Sequence, residues 1–400
     1  MKKAVYLALV ASLVLSTVVG AAGCSKGLGK EVKLGIIIPV TGSQAKFGEA
    51  QKRGYAIALE EINKAGGVLG KPLALVYEDD MSKAEGAISA VDKLVTQQKL
   101  TFILGSYSSA TTEAAASKIS GYAVPLLIPT AAADSITEKG SQWVFRINAP
   151  SKVYASVVLD FMNKVAAPKT LAIIYENTNF GTSTAKASKE QAEAMKIKVV
   201  SYEAYQAGAP DFKPLLLKVK KENPEVVFFV SYLLDATLLM RQTREIDFNP
   251  KLYTAGGAGF SMLEFVAASG AGKDAEFTTS VTQWTPDVKW KGAKEFAEKF
   301  KGLYGTYPEY HSAEAYAALN VAKDVIERAK SLDPKKLREA LAATDIKDGP
   351  FGPIKFDAKG QNTHTMLVTQ IQGGQFVTVY PESLAGAKTI YPTPAWKERK

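Results

Sequence analysis

The sequence predicts an α/β protein: two doubly wound parallel-sheet lobes joined by a three-crossing hinge. Three observations predict this. The chain has 400 residues, more than the ~250–300 that one core usually serves, so two domains are expected. From Lys33 onward, apolar runs of strand length alternate with helical patterns, as in βα units around a parallel sheet. That alternation restarts at Thr170, which gives the second lobe.

Residues 34–40 (LGIIIPV) form a continuous apolar run, as in a strand buried on both faces. A helix follows over 48–64. Tyr55, Leu59 and Ile62 share one face, while Glu60, Glu61 and Lys64 turn to water. Gly66 and Gly67 end it. A strand over 73–77, a helix over 83–97 and short strands over 102–105, 125–129 and 144–147 complete the first run. The second run reads strand 170–175 (TLAIIY), helix 182–194, strand 199–204, helix 212–222, strand 226–230 (VVFFV), helix 236–246 and strand 252–255. Helical sequence resumes over 292–304, 312–329 and 337–343. Short strands, expected to be antiparallel, close the chain at 352–356 and 366–371.

Three segments carry Pro with turn-type neighbours: 148–150 (NAP), 283–286 (QWTP) and 347–350 (KDGP). Three such crossings make a hinge. The expected lobes are therefore 32–149 with 285–348, and 150–284 with 349–390.

Composition narrows the chemistry. The chain is 46% hydrophobic and 22% charged, which excludes whole-chain disorder. The single cysteine, Cys24, cannot form an intramolecular disulfide or a cysteine-based zinc or iron–sulfur site. The two histidines, His311 and His364, lie far apart and outside any HExxH pattern, so no metal and no cofactor is expected. The net charge of +9 is dispersed along helical faces and forms no basic stripe interleaved with aromatics, so no nucleic-acid partner is expected.

Residues 1–24 (MKKAVYLALVASLVLSTVVGAAGC) read as an address. Lys2 and Lys3 precede an uncharged apolar run from Ala4 to Val19. Small residues follow, and then the sole cysteine. The pattern resembles a bacterial lipoprotein signal, with Ala21 where leucine is usual, and implies a lipid-modified Cys24 at a new N-terminus. A buried N-terminal helix is the alternative. No second run of membrane-spanning length follows, so the expected product is a soluble body tethered outside the cytoplasm by residues 25–30 (SKGLGK).

Catalytic signatures are missing: there is no GxSxG, Walker A or GxGxxG pattern. The Gly-rich 66–70 segment follows a helix and precedes a strand, the wrong order for a phosphate cradle. Asp79 and Asp80 are expected to end a strand and help cap the next helix rather than to hold a metal. Residues 105–112 (GSYSSATT) are more informative. This hydroxyl-rich loop lies between a strand and a helix, where open α/β sheets bind ligands. Free N–H groups there suit a carboxylate, although serine and threonine also serve as plain helix caps. The next strand ends in 129–134 (PTAAAD), whose small residues let a ligand approach the backbone. Phe180, Tyr232, Gly256 and Gly257 stand at strand ends of the other lobe, where rings and bare backbone facing the loop would form a cleft.

Residues 33–48 (KLGIIIPVTGSQAKFG), 58–70 (ALEEINKAGGVLG) and 77–80 (YEDD) resemble the branched-chain amino acid-binding proteins of ABC transporters. The Ser108-Ser109 loop, 128–137 (IPTAAADSIT), Phe180-Gly181 and Tyr232 continue the resemblance in order and spacing over about residues 32–380. It implies a two-lobe, type I periplasmic-binding fold that closes on a small solute and delivers it to a membrane permease, acting as a monomer and not as an enzyme. It also implies that Ser109, with Ser108 and Tyr107 beside it, holds the ligand carboxylate. The family's second hydroxyl falls at Ala133, so that contact passes to Thr130 or to the backbone of Ala131 and Ala132. Phe47 and Phe180 stand where the family often has tyrosines, and Tyr232 matches an aromatic wall. The family glutamate that pairs with the ligand ammonium has no counterpart here: residues 255–258 read AGGA, with Gly257 in its region. Asp235 is the nearest replacement, or is simply the cap of its helix. An unpaired buried ammonium is costly. Two ligand classes therefore stay open, a neutral amino acid and an aromatic or aliphatic carboxylate or amide. A ligand-sensing module for a signalling partner is a third possibility, and a hydrolase is disfavoured for want of a nucleophile–base pair.

Overall fold

The structure, a computed structural model, describes residues 30–363 and 366–399; the leader with Cys24, and His364, lie outside the described residues. The chain alternates β1 (Val32–Ile38), α1 (Ala45–Lys64), β2 (Leu73–Asp79), α2 (Ala84–Asp92), β3 (Ile103–Leu104), α3 (Ser109–Tyr122), β4 (Leu126–Ile128), α4 (Ser135–Glu138) and β5 (Val144–Arg146). These strands form a sheet of order β2-β1-β3-β4-β5, parallel throughout. Then come α5 (Ser151–Val165), β6 (Thr170–Glu176), α6 (Asn179–Ala194), β7 (Lys198–Tyr205), α7 (Lys213–Lys221), β8 (Val226–Val230), α8 (Leu233–Glu245), β9 (Leu252–Ala255), α9 (Leu263–Val266) and β10 (Thr279–Thr282). The chain returns through α10 (Ala293–Tyr304), α11 (Tyr310–Ala329) and α12 (Pro334–Ala342) and a small hairpin, β11 (Asp345–Ile346) with β12 (Ile354–Lys355). It ends in β13 (Leu367–Gln372) and β14 (Gln375–Tyr380). The second sheet has the order β14-β13-β10-β9-β8-β6-β7, parallel from β7 to β10, with antiparallel β13 and β14 at its edge.

The strand orders place the site. In each lobe the first strand sits between the second and the third, so the connections leave in opposite directions at β1/β3 and at β6/β8. A crevice opens beyond the strand ends at such a switch point. The two crevices face each other.

Each sheet is buried on both faces. In the first lobe one face packs on α1, α10 and α11 and the other on α2 and α3. Helices α1 and α11 lie close because Gly54 faces the Ser312 carbonyl, which a Cβ would strike. In the second lobe, β6 and β8 alternate their side chains between two cores.

Several boundaries differ from expectation. The 83–97 helix is α2 followed by a π-helical turn over Lys93–Gln97. Strand β10 reads TSVT and is buried along its length, its polarity concealing it in the sequence. The helix α5 and the edge strand β14 add to the elements expected. The third crossing is not at Lys347–Pro350. Phe351, Ile354 and Phe356 pack into the first lobe's core, and the Arg146 N–H donates to the Gly360 carbonyl (2.8 Å) while the Asn362 N–H donates to the Arg146 carbonyl (3.0 Å). Residues 349–362 therefore belong with the first lobe. Met366 is buried in the second lobe's core.

Asp79 and Asp80 do not cap α2, whose N-terminus has no side-chain cap. Asp79 accepts from the N–H groups of Val40 (2.9 Å), Thr41 (3.2 Å) and Met81 (2.8 Å), and Asp80 accepts from the Ser82 N–H (2.8 Å) and the Ser106 hydroxyl. The pair ties loops at the strand ends. Among the described residues no acid or histidine cluster suits a metal ion, and no helix is long and apolar enough to cross a membrane.

Candidate functional site

The two crevices meet in one cleft. From the first lobe, Tyr107 and Ser109 follow β3, and Thr130, Ala131 and Ala132 follow β4. From the second, Phe180 lies in the first turn of α6 and Tyr232 follows β8. These seven were expected at a site, and the structure brings them together.

Ser109 is the first residue of α3, whose Ser108 cap accepts from the Thr111 N–H (3.2 Å). The cap leaves the first-turn N–H groups pointing along the helix axis, where the dipole favours an anion. Ser109 Oγ accepts from the N–H groups of Ala132 (3.2 Å) and Ala133 (3.1 Å). Its oxygen is used inward, so its hydrogen is available to donate to a ligand. The Ala132 N–H, expected to be open to ligand, is spent on this bond. Thr130 is also engaged: its hydroxyl is within bonding distance of the Ser106 (3.2 Å) and Tyr107 (3.1 Å) carbonyls, and it accepts from Gln51 (3.3 Å). It fixes the loop that carries Tyr107.

An aromatic wall crosses the lobes. Phe47 stacks on Tyr107 (4.4 Å, 16°) and meets Tyr232 edge-on at 5.8 Å; Phe180 lies 5.6 Å from Tyr232. Phe47 thus backs the wall rather than lining the cavity. The Tyr232 phenol reaches across to the Ser109 N–H and Ser108 hydroxyl. Asn179 bonds Glu113 (2.6 Å) from the opposite lobe, so the lobes are closed. The enclosed space is about 20 Å³, room for about one water. A solute therefore enters only when the hinge or the rings part.

Two expected residues lie elsewhere. Asp235 is on α8 but faces the second lobe's own loop, where its carboxylate accepts from the Gly208 N–H (3.0 Å). It neither lines the cleft nor caps α8 through its side chain. Gly257 has φ 78°, ψ −140°, a conformation nearly restricted to glycine. A Cβ there would meet the Val281 carbonyl at 3.1 Å and the Tyr310 hydroxyl at 3.5 Å. The space an acid would need is filled, and the neighbouring Ala258 lines the cleft instead.

The rest of the lining comes from the hinge and α11: Asn148, Tyr154, Tyr310 and His311. Tyr154 donates to Asn148 Oδ1 (3.1 Å), and the Ala258 N–H donates across the lobes to the Tyr310 hydroxyl (3.1 Å). These positions carry no sequence motif. The available signal was an aromatic pair opening a helix just after Pro308. Trp284, at the second crossing, does not line this cleft; its indole donates to the Pro350 carbonyl (2.9 Å) and packs on Phe296.

The lining is electrically neutral. Burial pushes His311 down to about 3, so the imidazole is uncharged at neutral pH. Behind the rings, burial raises Glu176 to about 8 and holds Glu314 well above the carboxylate range. Glu176 accepts from the Tyr232 N–H (3.0 Å) and Thr178 hydroxyl (2.8 Å), and so sets the aromatic wall in place. Arg146, fully buried, donates to the carbonyls of Ala131 (3.1 Å) and Ala133 (2.7 Å), to Thr137 Oγ1 (3.0 Å) and to Gln361 Oε1 (2.6 Å). It holds the loop after β4 in register with Ser109.

A two-lobe fold with a neutral, aromatic cleft at facing switch points is the architecture of a solute-binding protein. Residues 31–375 match the periplasmic binding protein family, and the chain belongs to it. A Leu/Ile/Val-binding protein homologue of Brucella suis is 32% identical over 406 aligned residues, covering 96% of this chain and 99% of that one. Among solved structures, the branched-chain amino acid transporter substrate-binding protein LivJ of Streptococcus pneumoniae, in complex with isoleucine, superposes with a TM-score of 0.81 at 25% identity, over 91% of this chain and 100% of that one. An ABC-transporter solute-binding protein of R. palustris, in complex with benzoate, shares the fold at a TM-score of 0.80 and 21% identity, over 91% and 97%. This chain is a solute-binding protein of the kind that serves ABC transporters, and such proteins work outside the cytoplasm as binding proteins rather than enzymes.

Proposed function

We propose that this protein captures a small carboxylate-bearing solute with an apolar or aromatic body and presents it, in the closed form, to an ABC permease. One observation carries this reading. The start of α3, where the Ser109 N–H meets the Tyr232 phenol in this closed form, and the free Ser109 hydroxyl hydrogen face an aromatic wall from the other lobe, and no acid lines the cleft. A carboxylate gains hydrogen bonds and a favourable dipole at that helix end. A flat or branched body packs against the wall that Phe180 and Tyr232 form. The benzoate complex of the R. palustris protein supports this ligand class.

A second reading, a neutral amino acid, is favoured by the Leu/Ile/Val name of the Brucella relative and by the isoleucine in LivJ. Its ammonium would fall to Asn148 Oδ1 and the hydroxyls of Tyr154 and Tyr310, since Asp235 faces away. The leader supports a lipid anchor at Cys24.

A thermal-shift panel tests the reading on protein freed of retained solute. It holds benzoate, phenylacetate, isovalerate, leucine and isoleucine, with the matching amides as controls. A ligand at a hundredfold excess over its Kd adds ~2.7 kcal/mol of stability. A shift with acids but not amides is expected. A shift with amides alone would overturn the carboxylate assignment. Leucine against isovalerate separates the two ligand classes.

A further inference from the structure

A second cavity opens between the lobes beside the ligand cleft. It measures about 400 Å³, within the size range of small-molecule sites. Its walls come from both lobes and the second hinge crossing; Leu263, Val266, Trp284, Pro286, Pro308 and Phe376 give apolar faces, and Lys301, Glu309 and several hydroxyls lie between them. Among the described residues, Tyr310 is the one that lines both this cavity and the ligand cleft.

Tyr310 is pinned there. It is the first residue of α11, whose Glu309 cap accepts from the Ser312 N–H (3.4 Å) and hydroxyl (2.9 Å). Its ring stacks on His311 at 3.9 Å, and its hydroxyl accepts from the Ala258 N–H of the opposite lobe at 3.1 Å. The glycine conformation at Gly257 turns Ala258 into this contact. A phenol held at its root, its face and its tip forms a partition.

We propose that Tyr310 sets the length limit of the solute. It closes the ligand cleft against an adjoining apolar cavity that would otherwise hold the tail of a longer carboxylate. This rests on the carboxylate reading of the cleft. The carboxylate of a short solute sits at Ser109, and its body ends against the Tyr310 ring. Removing the ring joins about 400 Å³ of partly apolar space to the cleft. Each methylene buried there is worth about fourfold in affinity.

Calorimetric titration of wild type, Tyr310→Phe, Tyr310→Leu and Tyr310→Ala tests this with two probes, isovalerate and 6-phenylhexanoate. Wild type is expected to bind isovalerate and to bind the long acid at least a hundredfold more weakly. Tyr310→Phe keeps the ring and should keep the limit. Tyr310→Ala should gain tenfold or more for the long acid while losing no more than tenfold for the short one. Tyr310→Leu serves if the alanine variant fails to melt cooperatively. Variants that bind isovalerate with no gain for the long acid would overturn the length limit and leave the carboxylate reading standing. So would a wild type that binds both acids equally. A wild type that binds neither, nor any acid of the panel above, would overturn both.

Discussion

Ser109 shows how one hydroxyl can order a loop and still keep a hydrogen for the proposed ligand. Its oxygen organises the N–H groups of Ala132 and Ala133, which leaves its hydrogen for a solute carboxylate. Ser109→Ala removes a charge-assisted bond worth ~1.5–3 kcal/mol, so affinity should fall roughly 10- to 100-fold in a titration while the protein still melts cooperatively. Unchanged affinity would remove Ser109 from the site. Glu176 makes a different prediction. Unfolded, its carboxyl titrates near 4.5; folded, it holds its proton to about 8. Its stabilising contribution is thus full below about pH 4.5 and is lost as pH rises through about 8. Glu176→Gln, which still accepts from the Tyr232 N–H, should flatten the fall in Tm between about pH 5 and 9. An unaltered profile would show that the acid is not titrating there. At this scale the sequence was informative where ligand groups follow strands: Tyr107, Ser109, Thr130 and Tyr232 stand beside motifs. It was silent on Tyr154, Tyr310 and His311, because their place depends on how the hinge folds α5 and α11 back onto the cleft. Asp235 failed for a related reason. A helix start has several sides, and only the Gly208 loop shows which one the carboxylate takes.

Among the elements, the loop after β4 depends most on one side chain. Arg146 satisfies the carbonyls of Ala131 and Ala133 from inside the protein. Arg146→Met should cost at least ~2 kcal/mol in urea unfolding, because those buried acceptors lose their donor. It should also weaken ligand binding, since the loop positions Ser109. Full stability would show that the loop holds itself. The α1–α11 contact is equally local: Gly54→Ala puts a methyl into the Ser312 carbonyl and should cost ~1–3 kcal/mol by overpacking. Elements with long apolar runs, such as β1 and β8, were legible in the sequence. Strand β10 was not, because it is buried through threonine and serine hydroxyls bonded within the lobe, as Thr279 is to the Tyr253 carbonyl (3.1 Å). Polarity there reads as loop until the sheet supplies partners.

For the whole molecule, two switch points brought face to face make a trap whose walls come from different lobes. On the proposed reading, binding energy goes into closure, and the closed form is what a permease recognises. The repeat of βα units made the two lobes legible. The third crossing was not, since the segment 349–362 carries turn signals yet is held to the first lobe by Phe351, Phe356 and the backbone pairing beside Arg146. The central claim is that the lobes close on a carboxylate at the start of α3. Calorimetric comparison of an acid with its own methyl ester, benzoate against methyl benzoate or isovalerate against methyl isovalerate, tests it most directly. Two charge-assisted bonds lost on esterification predict that the acid binds at least about a hundredfold more tightly. Equal affinity of acid and ester would contradict the claim.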